Sequence, residues 1–185
     1  MFTAVLGTAI LATPALAEPR RYVLDRENST VAFTYRMNGQ ALTGRMPVAS
    51  ADIMLDVDNP PNSQVSAEID ANGADAGPFY ATEAMKSENV LDTTHYPLIR
   101  FRSDQVEGTV HRARVHGQLT VRDVTEPITL DTVLYRQRGT EEGDRSRLSI
   151  LLTGEIDRRQ FGAGGYPAIV DPVIRLQILT RITLA

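Results

Sequence analysis

Residues 115–134 read VHGQLTVRDVTEPITLDTVL. Val115, Gly117, Leu119 and Val121 alternate with His116, Gln118, Thr120 and Arg122. A polar break runs from Arg122 to Pro127, after which Ile128, Leu130 and Thr132 alternate with Thr129, Asp131 and Val133. Alternation of period two on both sides of a short polar break predicts an antiparallel hairpin with one dry face. That face covers either a solid core of side chains or the wall of a cavity.

The same period recurs along the chain. Val31, Phe33, Tyr35 and Met37 alternate with polar or small neighbours, as do Ala51, Ile53, Leu55 and Val57, then Val65, Ala67 and Ile69. Ile99 and Phe101, then Leu148, Ile150 and Leu152, continue the pattern, and Ile174, Leu176, Ile178, Thr180, Ile182 and Leu184 close it. Turn chemistry separates the runs at 38–40, 58–62, 107–108 and 139–144. Roughly eight strands at hairpin spacing, without alternating helices, predict an all-β antiparallel barrel or sandwich. Closed on themselves, eight strands leave an interior that side chains fill or that holds one small ligand. The segment 78–97 departs from this period. Tyr80, Ala84, Met85, Val90 and Leu91 stand at near-helical spacing and predict a helix over 79–91, lying across one end of the sheet.

The chain of 185 residues suits one domain, and its 42% hydrophobic and 23% charged residues are ordinary for a globular protein. A formal charge of −4, no Trp and an aromatic share of 6% count against a nucleic-acid partner. Residues 1–17 carry no charged side chain and end in Ala15-Leu16-Ala17, which predicts a signal peptide cleaved after Ala17. The expected organisation is a signal at 1–17 and one domain at 18–185, placed in the periplasm or secreted. With no Cys, the fold stands on packing alone, and thiol catalysis and thiolate metal sites are excluded.

Candidate chemistry is sparse. His111 and His116 are five apart on a predicted strand, so they face opposite sides and share no local metal site. Gly162-Ala163-Gly164-Gly165 lacks the Lys-Ser/Thr that would touch a phosphate and reads as a flexible connection. Asp52, Asp56 and Asp58 read as a solvated face. In Arg158-Arg159-Gln160-Phe161-Gly162 a cationic pair and an aromatic ring meet where a strand ends; the arginine stems cover an apolar rim or the groups touch a ligand. No catalytic residue, metal or cofactor is nominated.

The order of several motifs resembles the YceI-like family of bacterial periplasmic and secreted proteins. The matching pieces are Tyr22-Val23-Leu24-Asp25, Ser29-Thr30-Val31-Ala32-Phe33, Gly44-Arg45-Met46 and the run at 51–58. They continue with His95-Tyr96-Pro97-Leu98-Ile99-Arg100-Phe101, Gly117-Gln118-Leu119-Thr120-Val121-Arg122-Asp123-Val124-Thr125 and Arg159-Gln160-Phe161-Gly162. The chain departs from the family at Asn28, where the family often has His, and at Asp123, which replaces the usual turn Gly. The resemblance implies a lipocalin-like, extended antiparallel β-barrel with a helix near one open end. It also implies an apolar tunnel for an isoprenoid ligand, either a polyisoprenoid or the tail of an isoprenoid quinone.

On this reading Phe33, Tyr35, Phe101, Leu119, Ile150, Leu152 and Ile178 are expected on the tunnel wall. Phe79, Tyr80, Met85 and Phe161 are expected at its mouth. The alternative for every one of them is packed core. The expected partner is the apolar ligand, with a membrane protein or a second copy of the chain as further candidates. A carrier without catalysis is the main expectation. An enzyme acting on an apolar substrate would show titratable groups converging in the tunnel, and a ligand-free interaction module would show a filled barrel.

Overall fold

The computed structural model describes residues 18–185, so the signal peptide expected at 1–17 lies outside the described residues. The strands are β1 (Arg20–Leu24), β2 (Thr30–Met37), β3 (Gln40–Leu55), β4 (Gln64–Asp70), β5 (Leu98–Thr109), β6 (Arg112–Val121), β7 (Val124–Arg136), β8 (Arg147–Asp157) and β9 (Val173–Leu184). All pairings are antiparallel, in the order β1-β3-β2-β9-β8-β7-β6-β5-β4, and β3 also pairs with β4, which closes the sheet into a barrel. β1 and β2 form one interrupted staff between β3 and β9: Tyr22 pairs with Ile53 and Leu184, and Phe33 pairs with Gly44 and Leu176. The nine strands therefore fill eight positions around the ring.

Local chemistry explains the joints. Asn38 and Gly39, with φ of 51° and 78°, make the tight β2–β3 turn, where left-handed backbone favours this pair. The β6–β7 turn is only Arg122-Asp123, because Val121 pairs with Val124. The polar residues Thr125, Glu126 and Pro127, expected in the turn, lie in β7 instead. Pro127 is tolerated there because β7 begins to pair with β8 only at Asp131, so its outer edge is free of a ladder.

β3 starts at Gln40, well before the run 51–58 that the sequence reading singled out, and it carries a bulge between Val48 and Ser50. Gly44, Met46 and Val48 face inward before the bulge, and Ile53 faces inward after it. One extra residue moves the inward set from even to odd positions.

The helix expected over 79–91 is α1, Phe79–Lys86. Ser87 ends it: its backbone is extended, and its hydroxyl donates to the carbonyl of Ala84 at 2.7 Å. Asp56, expected on a solvated face, is buried at 3% exposure. β3 ends at Leu55, and the carboxylate turns back to accept the N–H groups of Asp58 and Asn59 and the amide of Asn62.

Two segments cover one end of the barrel. The first runs from Ala71 to Pro97 and contains α1; Ala71 N donates to Pro97 O at 2.9 Å, and the Tyr35 hydroxyl donates to Ala76 O at 2.8 Å. The second runs from Arg158 to Pro172 and is organised by Arg158, only 6% exposed. Its guanidinium donates to the carbonyls of Ala163, Gly165, Val170 and Asp171 at 2.6–3.0 Å. Burial pulls Arg158 below the ordinary arginine value, yet a guanidinium stays charged in a protein. The adjacent Asp157 is engaged by Arg159, whose side chain holds its carboxyl at about 2. The covers meet where Gly165 N donates to Asn89 O at 3.0 Å. Gly165 must lack a Cβ, which would fall 2.4 Å from that oxygen. Arg122 spans the seam, donating to Gly162 O at 2.9 Å and Val90 O at 3.4 Å.

Arg158→Met keeps the apolar stem and removes every donor, leaving buried carbonyls unpaired. The expected cost is about 3 kcal/mol in urea unfolding, with amides of 163–171 exchanging faster than those of the strands; a loss below about 1 kcal/mol would mean that other groups satisfy the loop. Asp56 is held below the usual carboxylate value of 3.8, first by the Asn62 amide and then by backbone N–H groups. A depressed folded value means its stabilisation is present above pH 3.8 and is lost as pH falls through the lower folded value. Acid unfolding followed by circular dichroism is therefore expected to lose part of its pH dependence in Asp56→Asn.

Candidate functional site

A cavity of about 210 Å³ occupies the barrel between the covers and a floor near Ile53 and Thr180. Of its 28 lining residues, all but Arg158 and Thr180 are apolar. β2, β3, β4 and β5 supply one wall through Val31, Met46, Ile69 and Ile99; β6, β7, β8 and β9 supply the other through Leu119, Leu130, Leu152 and Ile178. Met85, Leu91, Phe161 and Ala163 come from the covers.

The void exists because glycines let large side chains lie along the wall. A Cβ at Gly44 would sit 2.3 Å from the Phe33 ring, one at Gly117 2.7 Å from the Phe101 ring, and one at Gly154 2.7 Å from Leu130 Cδ2. Each bulky neighbour takes the space of the missing side chain instead of crossing the lumen. An aromatic ring laid over a strand glycine also shields its backbone.

Seven of the expected residues line the cavity: Phe33, Phe101, Leu119, Leu152 and Ile178 on the wall, with Met85 and Phe161 at the covered end. The other four stand elsewhere. Tyr35 is buried beside the cavity and spends its hydroxyl on the cover segment. Ile150 packs at the far end with Tyr22, Ile53, Leu148 and Ile182. Phe79 and Tyr80 are 79% and 65% exposed. Helix phase explains this: Ala81 and Met85, one turn apart, face the barrel, which turns residues 79 and 80 outward. Met46 and Val48 escaped the sequence reading because Pro47 and Gly44 disguised the first half of β3, although Leu42, Gly44, Met46 and Val48 keep the period of two.

The arrangement favours sequestering apolar matter over chemistry. Arg158 is the charged residue on the lining, and four of its N–H groups are committed to backbone carbonyls. Water needs two to four polar partners to settle in a cavity, which this lining does not offer it. Left empty, 210 Å³ of apolar void costs roughly 5 kcal/mol at about 24 cal/mol per Å³. That is comparable to the whole net stability of a small domain. Among the described residues, no group of His, Asp and Glu gathers with metal-binding geometry.

The YceI-like domain profile matches residues 22–182. A UPF0312 protein of Shewanella baltica is 26% identical over 135 residues, covering 71% of this chain and 70% of its own. The crystal structure of BcnA from Burkholderia cenocepacia superposes with a TM-score of 0.74 at 17% identity, covering 85% of this chain and 98% of that one. A polyisoprenoid binding domain from Saccharophagus degradans, implicated in plant cell wall breakdown, gives a TM-score of 0.66 at 12% identity over 90% of this chain and 99% of its own. At such identities the structural likenesses speak for the fold. Profile and relatives together place the protein: the chain belongs to the YceI-like family.

Proposed function

We propose that this chain is a periplasmic or secreted carrier of an apolar isoprenoid lipid, a polyisoprenoid or the tail of an isoprenoid quinone, with no catalysis of its own. The observation that carries the reading is the cavity itself: about 210 Å³, apolar on almost every side and overlain at one end by two cover segments. An isoprenoid chain has no hydrogen-bonding groups, so such a lining forfeits nothing by enclosing it. Each CH₂-sized unit moved from water contributes roughly 0.8 kcal/mol, and occupancy also recovers the cost of the void. The family membership and the named specificity of the Saccharophagus degradans domain support the same ligand class. Export is supported by the apolar run at 1–17 ending in Ala15-Leu16-Ala17. A lipid carrier outside the cytoplasm must exchange its load with a membrane or a membrane protein, which makes either a partner in this reading.

Native mass spectrometry of the mature protein, followed by organic extraction, is expected to release a stoichiometric isoprenoid or quinone. A protein that is empty and also refuses added isoprenoids would overturn the proposal. Gly154→Ala is expected to push Leu130 inward and weaken lipid binding about fourfold, the worth of one lost CH₂. Leu152→Arg is expected to abolish binding; circular dichroism must show a folded barrel, since a buried charge also endangers folding.

A further inference from the structure

The two ends of the barrel differ inside and out. At the far end Tyr22, Ile53, Leu148 and Ile182 fill the interior as a solid plug. At the cavity end, apolar side chains are instead turned toward solvent. Among the described residues seven large hydrophobic side chains are exposed, and four of them, Phe79, Tyr80, Tyr166 and Ile169, stand on the two covers. They belong to two short apolar runs, Pro78-Phe79-Tyr80 and Tyr166-Pro167-Ala168-Ile169, and all four residues of the second are exposed. Such runs on a surface are a liability unless they make a contact. Both are tied to the same rim of the barrel: the Tyr35 hydroxyl donates to Ala76 O, just before the first run, and Asn38 N donates to Ile169 O at 2.8 Å. The second run is rigid. Tyr166 O accepts the N–H groups of Ile169 and Val170 at 3.1 and 3.0 Å, while Arg158 holds the carbonyls of Gly165 and Val170 on either side. Tyr166 itself has φ of 58°, a left-handed backbone that is rare and costly for a bulky residue. The turn thus accepts strain to present apolar side chains outward, beside a cavity that is itself apolar.

We infer that the two covers form a membrane-docking face, on which Phe79, Tyr80, Tyr166 and Ile169 enter the interfacial layer of a lipid bilayer. The inference rests on the carrier reading and names the partner which that reading leaves open. Four features favour a bilayer over a protein. Phe and Tyr are amphipathic or apolar rings of the kind that settle at a membrane interface. A bilayer needs no matching shape to receive two separate runs. The turn at 166–170 offers it few unpaired donors, because Pro167 has no N–H and those of Ile169 and Val170 are already spent. Charge is the fourth feature. Residues 34–45, 71–97 and 158–172, which make up the covers and the β2–β3 turn, carry Arg and Lys in the same number as Asp and Glu. The formal excess of −4 therefore lies on the rest of the molecule. A neutral apolar face on an anionic body approaches lipid face first and gains nothing from electrostatic steering. Side chains buried about 5–10 Å deep, the usual reach of interfacial anchors, would bring the covers, and the cavity beneath them, against the acyl layer where an isoprenoid dissolves.

The test is co-sedimentation of the mature protein with vesicles of phosphatidylcholine and phosphatidylethanolamine. The protein is expected to bind, with less than about a twofold change between roughly 0.05 and 0.5 M salt. Phe79→Ser is expected to weaken binding about tenfold, and Phe79→Ser with Tyr80→Ser about a hundredfold, the worth of one and two buried rings. Both positions are exposed, so the barrel stays folded. Tyr135→Ser, which removes an exposed ring beside Leu148 at the plug end, should change nothing. The chain has no Trp, so Tyr80→Trp supplies a single indole whose emission is expected to shift to the blue on vesicles, whereas that of Tyr135→Trp stays put. A protein that stays in the supernatant overturns the docking face, and one that is then captured only by vesicles carrying native membrane proteins assigns the face to a protein. Binding that requires phosphatidylglycerol and vanishes with salt, or that the serine changes leave intact, overturns it as well. Neither Phe79 nor Tyr80 lines the cavity, so isoprenoid binding without vesicles is expected to be unchanged in both variants. Loss of docking and failure of the carrier reading therefore register in separate measurements.

Discussion

Closure of the sheet through β3 is the constraint on which the rest of the structure depends. One edge of this strand pairs with β2 and then β1, and the other pairs with β4, so the sheet closes on itself without a terminal edge strand. Closing a ring imposes curvature, and β3 and β5 answer it with bulges between Val48 and Ser50 and between Ser103 and Gln105. Those bulges keep apolar residues pointing inward over the full length of long strands. Without the first, Ile53 would face solvent, and the wall and plug would both lose it.

A closed ring with no cystine must be stable by packing, yet this interior keeps a cavity of about 210 Å³. The two demands are reconciled by position. The plug end is densely filled and its loop is held by the Asp56 turn, while the cavity end takes its order from polar bonds at the periphery. Arg158 shows how. A buried cation bound only to neutral carbonyls is a costly group, but it satisfies four backbone acceptors that the covering loop would otherwise bury unpaired. The cover is thus ordered from within by one side chain, and it does not need to fill the barrel to be stable.

The barrel was legible in the sequence because its signal is repeated: Val31, Phe33 and Tyr35, or Leu119 and Val121, each alternate as strands with one dry face do. What escaped lies where local and tertiary effects compete. The first half of β3 was hidden by Pro47 and Gly44, residues disfavoured in strands, whose reasons are an outward-facing position and an aromatic neighbour. Asp56 looked like the next solvated carboxylate of an alternating strand, and only the end of β3 at Leu55 reverses it. Among the expected ligand residues, alternation told inside from outside and so found Phe101 and Leu152. It carries no information on height within the barrel, so Ile150, two residues from Leu152 on the same face of β8, could not be assigned to the plug. Arg158 stood out as a cation at a strand end, but its partners are carbonyls brought together by the loop it orders.

The dry face of the β6–β7 hairpin covers a cavity. Leu119, Val121, Ile128 and Leu130 line it. Apolarity alone does not decide between cavity and core, because both parts of this interior are equally apolar. The difference is side-chain volume set against strand spacing. Around the cavity, Gly44, Gly117 and Gly154 absorb the bulk of Phe33, Phe101 and Leu130 into the wall. At the plug, Tyr22, Ile53, Leu148 and Ile182 converge with no glycine among them and meet in the middle. A barrel of eight positions is narrow enough that a few such choices switch it from hollow to solid along its own axis. The pattern of glycine on one staff facing an aromatic or branched side chain on the next is therefore the feature of a strand sequence that announces a tunnel, and the place where that pattern stops marks its end.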